Sequence, residues 1–337
     1  MTVFKNNTMA KPGPVFSEIS FKHVSEKEIR AYRTSNEEEF VSPRLRHFLS
    51  LPPDPQEALC QQPISCVENI KRVGAAVYEN SRLALSIADY GSGLLSCLTT
   101  DKGGRPHTNI ENEDAIVRST LRQLYRDFSQ DGSQERGLCH KTIIQDLARV
   151  FAGRTVEERQ RILVPGAGLL RLPLSLQLAG YEVEANEHER LYCRILKPSY
   201  NNAFDAVTTL FFIDTARNLL DYITAVNHCL KPGGIWINIG PLLWNCYENG
   251  PAGRQEGDVD DDLSCKARHR LDSSDLKDSR PQMLEFSNDE VLCVLEYFGF
   301  VVEVQNPDIG RAGFIANPRG MLQNTYQLSH WVARKEL

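Results

Sequence analysis

A strand-like run, Arg161-Ile-Leu-Val164, leads into Pro165-Gly-Ala-Gly168 and then into a stretch of helical spacing. Glycines at such a turn let backbone N–H groups approach a ligand closely, and the start of the following helix adds partial positive charge. Glu187 lies 19 residues beyond Gly168, at the end of the next strand-like segment. A carboxylate placed there can accept hydrogen bonds from both hydroxyls of an adenosine ribose. Gly166, Gly168 and Glu187 therefore form the expected nucleotide-binding set. The third glycine of the dinucleotide fingerprint is absent, since Leu170 and Arg171 follow, and a purely structural tight turn stays open on these residues alone. Asp214 closes another strand-like run, where capping the helix opened by Thr215 is its ordinary reading. Gln123 and Arg126, three residues apart, share one polar helix face, which could equally be a solvated one.

Metal chemistry has no comparable signal. The chain contains neither a C-x-x-C pair nor H-E-x-x-H, and its nine cysteines are scattered singly. An odd number of thiols fits a reducing compartment, cytoplasmic and also nuclear, and each cysteine reads as a small buried hydrophobe.

The elements that must hold these residues alternate from Arg161 onward. Strands are expected at 161–164, 181–185, 204–212 and 235–239. Helices are expected at 170–178, with Pro173 in the first turn, and at 215–230, stopped by Lys231-Pro-Gly-Gly234. Such alternation predicts an α/β fold with a mostly parallel sheet covered by helices. Ser287 and Glu290 make a capping-box signature for a helix ending near Phe298, and 300–305 and 326–334 read as a final pair of strands. Upstream, Val117, Leu121, Leu124 and Phe128 lay an apolar stripe along one helix face. Ile143, Leu147, Val150 and Phe151 repeat it.

Two domains follow: a helical accessory region at 1–112, loosely ordered at its start, and a domain at 113–337. The first contains a Pro-rich break at 51–55, a helix over 67–95 and a linker at 99–112. The second is interrupted at 249–282 by a charged segment that reads as a mobile surface insertion.

Hydrophobic residues are 41% and charged residues 24% of the 337, the balance of a soluble globular protein. A net charge of −6 without a dense Lys/Arg run argues against a general nucleic-acid or anionic-membrane binder. No apolar run reaches the roughly 18 residues of a membrane-spanning helix, and the N-terminus lacks the apolar region of a secretory signal.

Phe204-Asp-Ala-Val-Thr, a helix, and Leu230-Lys-Pro-Gly-Gly234 before an apolar strand resemble the S-adenosylmethionine-dependent methyltransferases of the Rossmann-like class I. A nicotinamide oxidoreductase is disfavoured by Leu170 and by this block. A narrower resemblance rests on Val164-Pro-Gly-Ala-Gly168, Asn186-Glu187, Phe211-Phe-Ile-Asp-Thr215, Gly234-Ile-Trp-Ile-Asn238 and Gly240-Pro-Leu-Leu243. Arg118-Ser-Thr-Leu, Gln123 with Arg126-Asp127, Met321 with Tyr326, and Trp331-Val-Ala-Arg-Lys335 extend it. Together these blocks are similar to the carnosine N-methyltransferase family.

The resemblance implies methyl transfer from S-adenosylmethionine to an imidazole nitrogen of carnosine or a related histidine-containing peptide. It places Gln123 and Arg126 at the methionine part of the cofactor, Gly166 in the cofactor loop and Glu187 at the ribose. Asp214 becomes the catalytic and substrate-contacting carboxylate, and Tyr326 helps to enclose the imidazole. Three pocket positions depart from the family pattern: Asn245 stands where a His is typical, and Phe314 and Asn324 stand where Tyr is typical. The implied partners are a small molecule or short peptide, with neither nucleic acid nor membrane, and a homodimer is the assembly allowed for.

Only 16 residues, 188–203, separate Glu187 from Phe204, whereas the family fold places a helix, a third strand and another helix there. That length suffices for one crossover but not two. Either the sheet is reduced, with the strand at 181–185 on its edge, or a segment has been lost from the sequence, the latter preferred. Two rivals stay open: a degenerate methyltransferase fold acting as a binding or scaffold protein, and a methyltransferase acting on protein histidine.

Overall fold

The computed structural model describes residues 32–98, 113–153, 159–187, 198–216, 218–244, 284–313, 321 and 325–337. The starting segment, the linker, the charged insertion, most of the short stretch after Glu187, and Asn245, Phe314 and Asn324 all lie outside them. The chain divides into two compact units, Met1–Arg118 and Ser119–Leu337.

The first unit carries α1 (Ser42–Leu49), α2 (Pro53–Cys60) and the long α3 (Cys66–Leu98). The Pro-rich break expected at 51–55 begins a helix, because Pro53 occupies a first-turn position where its missing N–H costs nothing. Ile70, Val77 and Ala84 of α3 are buried at spacings of seven, along one face of the helix, whereas Val73 is half-buried and Ala76 exposed. Helix α4 (Glu113–Phe128) carries the division between the units.

In the second unit α5 (Ser133–Val150) precedes β1 (Arg161–Pro165), α6 (Arg171–Leu178) and β2 (Glu182–Asn186). Then come β3 (Phe204–Leu210), α7 (Leu219–Cys229), β4 (Leu230–Gly240) and α8 (Asn288–Tyr297). Strands β5 (Phe300–Asn306), β6 (Arg311–Gly313), β7 (Thr325–Gln327) and β8 (Ser329–Lys335) complete the chain. Six strands form one sheet in the order β2-β1-β3-β4-β8-β5, parallel from β2 to β4, with β8 antiparallel to both β4 and β5. The expected α/β sheet is thus present, and among the described residues β2 is its edge.

Both faces of the sheet are covered, which explains the nearly continuous apolar runs of its central strands. Ile162 and Val164 of β1 and Ile235, Ile237 and Ile239 of β4 pack with Ile143 and Leu147 of α5 and Leu172 and Leu176 of α6. Leu163 and Trp236 turn the other way, towards Ile223 and Val226 of α7 and Leu295 of α8. The period-2 alternation along each strand separates these two cores. Helix α5 is also tied to the sheet by a buried hydrogen bond of 2.7 Å between Asp146 Oδ2 and His330 Nε2.

Three boundaries differ from the sequence expectation. The helix expected from Thr215 starts at Leu219, where the Asn218 side chain accepts from the Leu220 N–H. Lys231-Pro-Gly-Gly234 does not precede β4 but bulges within it: Phe204 faces Leu230 and Ala206 already faces Ile235. Residues 326–334 split at buried Leu328, so that Tyr326 pairs with Ala312 in a separate two-stranded sheet. The capping box of α8 forms as expected, with Ser287 N–H donating to Glu290 and Glu290 N–H to Ser287 Oγ. Ser287→Ala is expected to lower stability by about 1 kcal/mol in a urea titration.

Candidate functional site

The strand order reverses between β1 and β3, and ligands of open α/β sheets bind outside the carboxyl ends of the strands at such a point. Gly166 and Gly168 follow β1, Glu187 follows β2 and Asp214 follows β3. The parallel pairing therefore brings the loops bearing four of the expected site residues to one end of the sheet.

Gly166 and Gly168 have φ of +64° and +53°, a left-handed conformation that strains any residue with a Cβ. A Cβ on Gly166 would stand 2.3 Å from the Phe212 ring, whereas one on Gly168 would meet nothing within 4 Å. The loop is thus closed against Phe212 and open over Gly168. Ala167 N–H donates to the Asn186 carbonyl at 3.0 Å, and Gly168 N–H donates to Glu187 Oε2 at 2.8 Å. Glu187 is oriented by the loop it would serve, and one of its oxygens keeps its acceptor capacity. These residues fit an adenosine: an open glycine cradle with a fixed carboxylate beside it. Under that assignment Glu187→Gln is expected to weaken S-adenosylmethionine binding about 10-fold to 100-fold in calorimetric titration.

Asp214 sits in a 3₁₀ turn (Ile213–Thr215) and is only 2% exposed. Because Asn218 caps α7, Asp214 is not the helix cap that its position suggested. Its Oδ2 accepts instead from the Leu243 N–H at 3.1 Å, linking the segments beyond β3 and β4. Burial pushes its carboxyl up to about 6, against the opposing pull of that backbone N–H. It is a carboxylate at neutral pH, yet basic enough to take a proton there. Phe211, which leads into the turn with φ +51°, meets Tyr326 edge-on at 6.3 Å between ring centroids. Phe212 stacks on Tyr222 at 5.0 Å. Tyr326, paired with Ala312 between β7 and β6, thus lies beside Phe211, three residues before Asp214.

Arg126 is no freely solvated side chain. Its Nε and Nη2 grip the neighbouring Asp127 at 2.6 and 3.1 Å, and Asp127 is buried. Arg136 Nη1 ties the same turn by donating to the carbonyls of Arg126 and Ser129. Gln123 Nε2 reaches Ser119 Oγ of its own helix at 3.4 Å. Two residues not singled out from the sequence join this region. Arg171 opens α6 with its guanidinium carbon 5.5 Å from the Phe128 ring centroid. His140 Nδ1 lies 3.4 Å from Ser175 Oγ. Burial lowers His140 to about 4, so the ring is neutral at physiological pH. The only sequence signal for Arg171 was its position, at the place of the missing third glycine.

Among the described residues no group of His, Cys, Asp and Glu could hold a metal ion, and no helix is long and apolar enough to cross a membrane. Burial raises the Cys139 and Cys229 thiols to about 12, which leaves them unreactive.

A family model described as carnosine N-methyltransferase matches residues 106–200 and 192–337, the two ranges overlapping at 192–200. The chain is 27% identical over 375 aligned residues to the carnosine N-methyltransferase of Mus musculus, covering 91% of this chain and 84% of that protein. It is 25% identical over 334 residues to that of Schizosaccharomyces pombe, covering 80% and 83%. The magnesium protoporphyrin IX methyltransferase of Synechocystis PCC 6803, solved with SAH bound, overlays at a TM-score of 0.38 with 12% identity. That overlay covers 66% of this chain and 94% of that one, a likeness too low to bear on the site.

Proposed function

The chain belongs to the carnosine N-methyltransferase family, and on that premise we propose that it methylates an imidazole nitrogen of carnosine or a related histidine-containing peptide. The observation that carries this reading is Asp214, a buried carboxyl raised to about 6 at the carboxyl end of the sheet. S-adenosylmethionine, when bound, supplies a methyl group already activated on a sulfonium, so placement of the acceptor provides most of the catalysis.

Gly166 and Gly168 line the adenosine side and Glu187 takes the ribose hydroxyls. Gln123 and Arg126 serve the methionine part. Asp214 accepts the imidazole N–H, which leaves the other ring nitrogen with its lone pair free to take the methyl group. As the ring gains the methyl group, its N–H proton passes to Asp214, and charge balance is kept. Tyr326, held against Phe211, closes one side of the acceptor site.

A second reading, a degenerate fold that binds without turnover, is favoured by the 16-residue stretch between Glu187 and Phe204. Incubating the purified chain with methyl-labelled S-adenosylmethionine, carnosine and a protein extract separates the cases. Label on the imidazole of carnosine supports the proposal. Label on protein histidine reassigns the acceptor, and no transfer by a folded chain favours the non-enzymatic reading.

A further inference from the structure

Arg171 follows the glycine loop directly, and among the described residues its buried Nε has no hydrogen-bond partner. A buried donor left unpaired is costly, and native proteins seldom keep one without reason. Its contact with the Phe128 ring offers no oxygen acceptor to the guanidinium N–H groups.

The surrounding charges deepen the deficit. Arg171, Arg126 and Arg136 all act on the neutral His140, where the opposing charge comes from Asp127. Asp127 is already held by Arg126 through two hydrogen bonds. Arg136 uses Nη1 on backbone carbonyls. Of these three guanidinium groups, Arg171 is the one with neither hydrogen bond nor ion pair among the described residues.

We propose that Arg171 receives the carboxylate of the methionine part of S-adenosylmethionine, with Arg126 as its neighbour. The inference rests on the cofactor reading given above. A guanidinium edge matches a carboxylate with two parallel hydrogen bonds, and Arg126 has already committed such an edge to Asp127. Stacking on Phe128 restricts Arg171 before the ligand arrives, which reduces the ordering that binding must supply. The leucine-arginine pair that departs from the dinucleotide fingerprint thereby acquires a role: a cation in place of the third glycine.

The test compares S-adenosylmethionine with its decarboxylated form, by calorimetry, on wild type, Arg171→Lys and Arg171→Met. Wild type is expected to prefer the carboxylate-bearing ligand by about 10-fold to 100-fold. Arg171→Met is expected to lose that preference to within about threefold. Arg171→Lys, which keeps charge but cannot pair with two oxygens, should fall between them. Without ligand Arg171→Met is expected to melt no lower than wild type, since the charge it removes is unpaired among the described residues. Should Arg171→Met fail to fold, Arg171→Lys decides alone. A wild-type preference retained in the variants overturns the inference and leaves the cofactor reading intact. A wild type that binds neither ligand overturns the cofactor reading itself.

Discussion

Asp214→Asn is expected to lower kcat for imidazole methylation by about 100-fold to 10,000-fold while leaving S-adenosylmethionine affinity within about threefold. The asparagine keeps the size of the side chain and can still accept from the Leu243 N–H, so the 3₁₀ turn persists. What it loses is the ability to take a proton. In wild type the rate should rise with pH through about 6, the value to which burial raises this carboxyl, as its ionised form appears. The residual activity of the variant should lack that limb.

Stability should move the other way. Asp214 binds its proton more tightly in the folded chain than in the unfolded one, where the ordinary value is 3.8. Its contribution is therefore fully present below about pH 4 and is lost as pH rises through about 6, a change on the order of 3 kcal/mol. Urea titrations should find Asp214→Asn more stable than wild type at pH 8, with the advantage vanishing near pH 4. A variant that turns over as fast as wild type would remove Asp214 from the chemistry. One that is less stable at pH 8 would contradict the cost of burying its charge.

Gly166→Ala is expected to destabilise the chain by about 2–4 kcal/mol, from left-handed backbone strain together with overpacking, and to abolish measurable cofactor binding. The new Cβ would stand 2.3 Å from the Phe212 ring, and that ring cannot yield without leaving Tyr222. Gly168→Ala shares the positive φ but meets open space, so it should cost only about 1 kcal/mol. Adding Phe212→Leu to Gly166→Ala should recover part of the loss, since it relieves the clash but not the strain. Equal effects at the two glycines would show that loop closure against Phe212 does not matter.

These contrasts mark how far the sequence could be read. The glycine loop, Glu187, the alternating elements and the Ser287 capping box follow local rules that the fold obeys. The split at Leu328 could not be seen, because Tyr326 and Trp331 both suit a strand and only the Ala312–Tyr326 pairing separates them. Asp214 reads locally as a cap. Its freedom depends on Asn218 taking that place and on Leu243, 29 residues away, supplying an N–H. Arg171 is the sharpest case: that its Nε has no partner among the described residues emerges only when α4 and α5 bring Phe128, Arg126 and Arg136 beside α6. Local pattern shows what an element is, whereas the state of a charge is settled by what the other elements place around it.

Among the described residues the sheet ends at β2, yet the proposed function requires that the chain hold S-adenosylmethionine. Titration of the purified 337-residue chain with S-adenosylmethionine in a calorimeter tests it most directly. Binding in the micromolar range with one ligand per chain, weakened by Glu187→Gln, is the predicted result. A folded chain that releases no heat of binding and gains no thermal stability from the ligand would contradict the account.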